Sequence, residues 1–268
     1  LMIDYHVHTS LCNHAVGSME QYVRAAVAAG LKEICFLDHL TLHEKGKHLS
    51  MAPADVPLYF HAARRLAQVY RDKIMVKVGL ELDMDPAHTQ QIRDIISAFS
   101  FDMIGGSIHF IHDTNIVSSK DANAARNQMD IADICERYLE KIDAMIDADI
   151  IDVVCHLDVT KKFGRQTPKG FEHKYNEILS KIRYKNLAVE LNTSGLTHGA
   201  AEFYPSPRLL ALCREKDIPV TLGSDSHVPS SVGRHYDKAI HMLTATGYTH
   251  VAAFTRRQRY DIALDGFF

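Results

Sequence analysis

Short apolar runs recur along the chain, each bounded by turn or polar residues, with longer amphipathic stretches between them. The runs are Met2–Tyr5, Glu33–Leu37, Ile74–Gly79, Phe101–Gly105, Ile151–Cys155, Leu187–Leu191 and Pro219–Gly223. Continuous apolar segments of this length suit strands buried on both faces. His250–Phe254 fits either an eighth strand or a loop. Ser18 and Gln21 form a capping-box pattern that opens a helix over Met19–Ala29, and Gly30 closes it. Pro53–Val69 places Tyr59, Ala62, Ala63, Leu66 and Ala67 on one helical face. Further helices are predicted from Pro86 to Ala98 and over Asn123–Met145, Phe171–Ile182, Pro207–Glu215 and Arg234–Ala245. Seven strand–helix repeats predict an α/β barrel of the TIM type, with seven strands as reasonable as eight. An open doubly wound sheet is the alternative, because strand order cannot be read from the pattern.

Composition narrows the function more than the fold. A hydrophobic fraction of 46% over 268 residues is enough for one substantial core, and no low-complexity linker divides the chain, so residues 2–268 are expected to form one domain. The net charge of -3 announces no polyanionic partner. There is no extended basic track with interleaved aromatics, which disfavours nucleic acid. No run reaches a membrane span or a signal peptide, so a cytoplasmic protein without a membrane partner is expected. Leu1 precedes Met2, which is the expected native start. Cys12, Cys35, Cys135, Cys155 and Cys213 form no CxxC pair and are odd in number, which favours free thiols. GxGxxG and GxxxxGK are both missing, which argues against a dinucleotide fold or a P-loop.

Histidine is the anomaly: there are seventeen. His6 and His8 flank Val7 at the end of the first strand, where alternate residues point the same way and two imidazoles can share one divalent ion. Asp38 and His39 follow strand two, Glu81 strand three, His109 strand four, His156 strand five, and Asp225 and His227 strand seven. Any one of these histidines alone reads as an ordinary hydrogen-bonded residue. Their shared place at the carboxyl ends of strands is the pattern by which a barrel builds an active site.

These residues, with His14 in Cys12-Asn13-His14, Gly79-Leu80-Glu81, Ser107-Ile108-His109-Phe110, His156-Leu157-Asp158, Glu190-Leu191-Asn192-Thr193-Ser194-Gly195 and Gly223-Ser224-Asp225-Ser226-His227, resemble the PHP (polymerase and histidinol phosphatase) family. The resemblance runs in order from Met2 to Phe254. Lys161-Lys162-Phe163-Gly164 and Pro219-Val220-Thr221-Leu222-Gly223 bring it nearest to the histidinol-phosphatase branch. It implies a distorted seven-stranded barrel holding two or three divalent ions at the carboxyl ends of its strands. By that pattern His6, His8, Glu81 and Asp225 hold the first ion. Glu81 bridges to a second, held also by His109 and His156, and His14, His39 and His227 hold the third. Mixed nitrogen and oxygen donors admit zinc, iron or manganese. Asp38 is expected to orient a ligand.

The implied chemistry is in-line hydrolysis of a small phosphate ester, with Glu81, Asp225 and His227 at the reacting centre. Histidinol phosphate, an intermediate of histidine biosynthesis, is the leading substrate. Another phosphorylated metabolite or nucleotide is the alternative. A C–N hydrolase would need a different ligand arrangement, and a metal-storage role would leave the phosphate contacts without a purpose. Those contacts are expected from Lys161, Lys162 and Arg165, with polar help from Asn192 and Ser194. Glu190 is expected to bond a ligand or recognise an amine. The branch commonly carries a basic residue after Asn-Thr-Ser-Gly-Leu, whereas this chain has Thr197-His198, so His198 is the expected substitute. The loop Ile111-His112-Asp113-Thr114-Asn115 also departs from the branch, which bears on pocket shape. His43 and His48 are expected to face solvent. Cys12 is read as structural rather than as a nucleophile. Exposed helix faces of a barrel leave a homo-oligomer open.

Overall fold

The computed structural model describes residues 2–118 and 129–264. Seven parallel strands form a nearly closed barrel: β1 (Ile3–Val7), β2 (Glu33–Thr41), β3 (Met75–Asp83), β4 (Met103–Ser107), β7 (Val153–Val154), β8 (Ala188–Asn192) and β9 (Val220–Gly223), neighbours in that order. The short strands β5 (Phe110–Ile111) and β6 (Thr114–Asn115) make a hairpin in the loop after β4. β9 packs beside β1, and the two ends of the barrel are hydrogen-bonded just past β9, through the bridge Val7–Ser226 and hydrogen bonds from His8 N to Ser226 O (3.0 Å) and from Ser226 N to His6 O (3.3 Å). Helices α1 (Met19–Ala28), α2 (Val56–Val69), α3 (Thr89–Ser97), α4 (Ile131–Asp147), α5 (Glu172–Tyr184), α6 (Pro207–Glu215) and α7 (Tyr236–Ala245) follow the strands. The core is continuous between strands and helices, from Ile3 on β1 to Leu243 on α7.

Local chemistry explains several boundaries. Both halves of the capping box at Ser18 and Gln21 are formed, and Gly30 follows α1 with φ +73°. α2 buries Val56, Tyr59, Phe60 and Ala63, while Pro53–Asp55 forms a separate 3-10 turn ahead of it. The start expected for a helix at Asn123 lies outside the described residues; the helix is described from Ile131. β2 and β3 run past the ends predicted at Leu37 and Gly79, so that His39 pairs directly with Glu81 on the ladder. The polar pair reads as a strand end in sequence because the opposite charge that allows its burial lies 42 positions away.

His250–Phe254 is a strand, but not an eighth barrel strand. As β10 (His250–Thr255) it pairs antiparallel with β11 (Gln258–Ala263) in a hairpin at the amino-terminal ends of the barrel strands. There the hairpin meets carboxylates at strand starts. Tyr5 and Tyr260 hydroxyls donate to Glu33 at 2.6 and 2.7 Å, and Arg256 N donates to Asp102 at 3.1 Å. Arg257 reaches Asp152 through two nitrogens at 3.0–3.1 Å, while burial pushes the Asp152 carboxyl upward against it. Arg257→Ala should therefore strand a mostly buried carboxylate. A stability loss of about 2 kcal/mol, read as a lower urea midpoint with unchanged slope, is expected.

Candidate metal centre

Nine side chains predicted as ligands converge at the carboxyl ends of the strands. His6 lies in β1 and His8 just beyond it; their rings are 4.9 Å apart, as alternation along a strand requires. Glu81 is central. Its Oε2 lies 2.7 Å from His39 Nδ1, 3.4 Å from His6 Nε2 and 3.8 Å from His8 Nε2. Its Oε1 lies 2.8 Å from His156 Nε2 and 3.5 Å from His109 Nε2. One carboxylate thus faces two groups of imidazoles with separate oxygens. Asp225 Oδ1 lies 3.0 Å from His8 Nε2, and His227 Nε2 lies 2.9 Å from His14 Nε2. His156 and Asp225 both adopt positive φ, +28° and +53°. Such backbone strain, of order 1–3 kcal/mol each, persists where the surrounding structure fixes a functional geometry.

A second set of carboxylates holds the rings. His6 Nδ1 donates to Glu190 Oε1 at 2.6 Å, and His8 Nδ1 to Asp38 Oδ1 at 3.3 Å. Asp83 accepts from His109 N at 2.9 Å. Asp4, buried beneath the Asp225 loop, accepts from Ser224 N at 2.9 Å and Gly233 N at 3.0 Å. Gly223 makes room for this arrangement: a Cβ there would stand 2.0 Å from Glu190 Oε1 and 2.6 Å from His6 Cβ.

The donor chemistry fits divalent cations. His14 Nδ1 donates to Cys12 O (2.8 Å) and His227 Nδ1 to Asp225 O (3.1 Å), which leaves two bare Nε2 lone pairs facing each other. A proton is a poor bridge between them. Burial and neighbouring imidazoles lower the pKa of both rings, that of His227 strongly. Burial likewise holds His109 neutral. Burial alone would raise the Glu81 carboxyl, but His39, His6 and His109 keep it well below the usual carboxylate range. Asp225 is held down in the same way by His6 and His8. Burial opposes charge on His6 and His8, yet the surrounding carboxylates raise both, His8 to about 9. Neutral imidazoles and ionised carboxylates are the forms that ligate metal, so His14, His109 and His227 stand ready, whereas His6 and His8 would exchange a proton for the ion that takes its place among the carboxylates. Buried His6 Nε2 has no hydrogen-bond partner, as expected of an atom directed at an ion. Among five close donor triads of the described residues, two of which include Cys12 or Cys155, those confined to the predicted ligands are His6/His8/Glu81, His14/His39/His227 and His39/Glu81/His109. The first and second lie within the expected first and third sites. The last overlaps the expected second site with His39 in place of His156.

Comparison with known proteins places the chain in a family. The PHP domain model matches residues 4–194. The chain belongs to the PHP domain family. Among curated PHP relatives, a probable histidinol-phosphatase of Deinococcus radiodurans is 29% identical over 92% of this chain and 94% of its own length. The histidinol-phosphatase of Lactococcus lactis is 27% identical over 94% of each. A crystal structure of the latter organism's histidinol phosphate phosphatase, complexed with zinc, L-histidinol and phosphate, superposes with a TM-score of 0.84 at 26% identity, covering 96% of this chain and 98% of that one.

The residues expected to hold substrate divide sharply. Lys162, Ser194 and His198 line a cavity of about 480 Å³ over the PHP metal centre. Lys161 does not: its ammonium is bound to Asp158 (2.9 Å) and Glu202 (3.0 Å). Arg165 lines a different cavity and donates to Met129 O at 3.4 Å. Burial prevents Glu190 from greeting an amine; it bonds His6 Nδ1 and His156 N instead. Asn192 is buried too, donating to Asp225 Oδ2 at 3.4 Å, and Ser194 donates to the same oxygen at 3.2 Å. His43 is half-buried and stacks on Phe110 at 4.8 Å, while His48 is exposed. Cys12 is buried and its thiol is pushed up to about 12, which removes it as a nucleophile. Three residues were not anticipated, Asp83 beneath His109 being the first. Arg234 lines the cavity and donates to the carbonyls of Ser224 and Asp225 at 2.7–3.0 Å; nothing in its sequence context separates it from a helix start. Asp4 carried a readable signal, since alternation places it on the same strand face as His6.

Glu190→Ala should free the His6 ring. Metal affinity, measured by chelator competition, is expected to fall about 10- to 100-fold while the far-ultraviolet spectrum is unchanged. Gly223→Ala should reproduce the effect by displacing Glu190.

Proposed function

We propose that this PHP protein hydrolyses L-histidinol phosphate to L-histidinol and phosphate. The observation that carries the reading is Glu81, whose two oxygens serve separate imidazole groups beneath a cavity with cationic residues on its wall. His6, His8, Glu81 and Asp225 would hold one ion, Glu81, His109 and His156 a second, and His14, His39 and His227 a third. Divalent cations held there supply positive charge for the phosphoryl and leaving oxygens and acidify water near neutral pH. Zinc is bound by the Lactococcus lactis relative, and its donor preferences match this nitrogen-rich set.

The chain's own residues then bind and orient the ester. Lys162 is mostly buried; burial lowers its pKa, and Asp225 and Glu81 oppose that shift. It supplies a cation opposite the metal ligands for the nonbridging oxygens. Burial, with Lys162 and Arg234 nearby, lowers His198 to about 4 and leaves its ring neutral near pH 7. Its Nδ1 is buried without a hydrogen-bond partner, and the residue lines the cavity wall beside Lys162. Arg234 is committed to backbone carbonyls, so it adds charge to the wall and steadies the Asp225 loop. Leu49, Phe110 and Val117 on another part of the wall are apolar, while Asp83 and Asn115 beside them are polar. That mixture suits an organic leaving group carrying a ring with nitrogen donors. Neutral His198 also favours a second reading, a different small phosphate ester, because it grips phosphate less strongly than the branch's usual basic residue.

Phosphate release from a panel of phosphorylated metabolites by metal-loaded protein tests the assignment. Histidinol phosphate should give the highest kcat/KM; better turnover of another ester would replace it with that substrate. Lys162→Met should lower kcat/KM about 100-fold without changing metal content. His198→Arg should lower KM roughly tenfold, since a charge-assisted contact replaces a neutral one.

A further inference from the structure

The cavity over the metal centre has two unlike halves, and the barrel order separates them. Lys162, His198 and Arg234 follow β7, β8 and β9, whereas Thr41, Gly46 and Leu49 come from β2 or its loop and Phe110 from the loop after β4. The second half is thus built by two loops that start beside His39 and His109. Ser50 Oγ closes the first at its base, accepting from Thr41 N at 2.9 Å and donating to His39 O at 3.0 Å. Ile116 N closes the other, donating to His109 O at 2.9 Å.

Beyond these bases the loops meet again. The His43 ring stacks on Phe110, with centroids 4.8 Å apart and planes 23° from parallel. That ring is held by its own loop: Lys45 N donates to His43 Nδ1 at 3.3 Å, and Gly46 N to His43 O at 2.8 Å. His43 Nε2 lies 3.7 Å from Asp113 Oδ1, in the turn of the β5–β6 hairpin. Gly46 is the other point of contact. Its φ of -98° is open to residues with a side chain, so conformation does not call for glycine there. Space does: a Cβ would stand 2.7 Å from Thr41 Cγ2 and 3.0 Å from the Phe110 ring. Thr41, Gly46 and Phe110 all line the cavity, whereas His43 does not and reaches it only through Phe110.

We propose that His43 and Gly46 are positioning residues that set specificity for the leaving group. His43 holds Phe110 as the surface against which the organic part of the ester packs, and Gly46 sets how deep that surface lies. The inference rests on the PHP centre hydrolysing a phosphate ester, and not on which ester it is.

Steady-state kinetics of the metal-loaded full chain test this, with the ester of the panel that turns over best as substrate and inorganic phosphate as competitive inhibitor. His43→Ala should raise KM about fivefold, because Phe110 must then be ordered on binding, while kcat and the inhibition constant of phosphate stay within about twofold. His43→Phe keeps a ring on Phe110 and should restore KM. Gly46→Ala should raise KM with the phosphate constant unchanged, and should reorder the panel by leaving-group size. An unchanged KM in His43→Ala, an equal rise in KM and the phosphate constant, or no recovery in His43→Phe would overturn the proposal. If histidinol phosphate does not head the panel, the substrate assignment falls and the same comparison on the better ester still decides the role of His43 and Gly46.

Discussion

The structure depends on placing one carboxylate, Glu81, where water cannot solvate it. A buried anion is tolerable only among groups that compensate its charge, and Glu81 is surrounded by His6, His8, His39, His109 and His156. Those rings come from β1 or its end, β2, and the ends of β4 and β7. The barrel gathers them because parallel strands all present their carboxyl ends on the same face. Burial strengthens the electrostatics that make the donors good ligands, and the same burial makes a misplaced donor costly.

That cost explains the polar architecture behind the rings. Glu190, Asp38, Asp83 and Asp4 each hold a ligating residue or its loop, and all four are buried. Glu190 and Asp38 fix the His6 and His8 rings, and Asp83 and Asp4 fix the backbone beside His109 and Asp225, so little reorganisation would remain at metal binding. At the opposite face the hairpin β10–β11 answers Glu33, Asp102 and Asp152 with hydroxyls, backbone amides and one guanidinium. One end of the barrel uses carboxylates for metal chemistry and the other for closure.

The sequence made the alternation of strands and helices legible because buried parallel strands are short and apolar. It made the convergence of the nine candidate ligands legible because imidazoles recur at strand ends, and the family resemblance then grouped them. It misled where neighbouring lysines diverge. Lys161 and Lys162 are adjacent and chemically alike, yet one is bound in an ion-pair network and the other lines the metal-centre cavity. Backbone direction after His156 separates them, and that direction is not written in residue type. Glu190 was ambiguous for a similar reason: a carboxylate near a site can face substrate or back a ligand, and only burial distinguishes the two. Arg234 was hidden because its partners are carbonyls, which every residue has.

The seam between β9 and β1 gives the metal centre a further consequence. The barrel's first and last strands are linked by a single bridge at Val7 and Ser226, beside His8 and Asp225, whose facing atoms are 3.0 Å apart. On the proposed ligand assignment, ions held by those residues would act as a clasp across the seam between the first and last barrel strands. Because His6 and Asp225 lie more than two hundred positions apart in the chain, such a clasp would close only after every strand of the barrel has been made. Catalytic competence is thereby tied to completion of the circle.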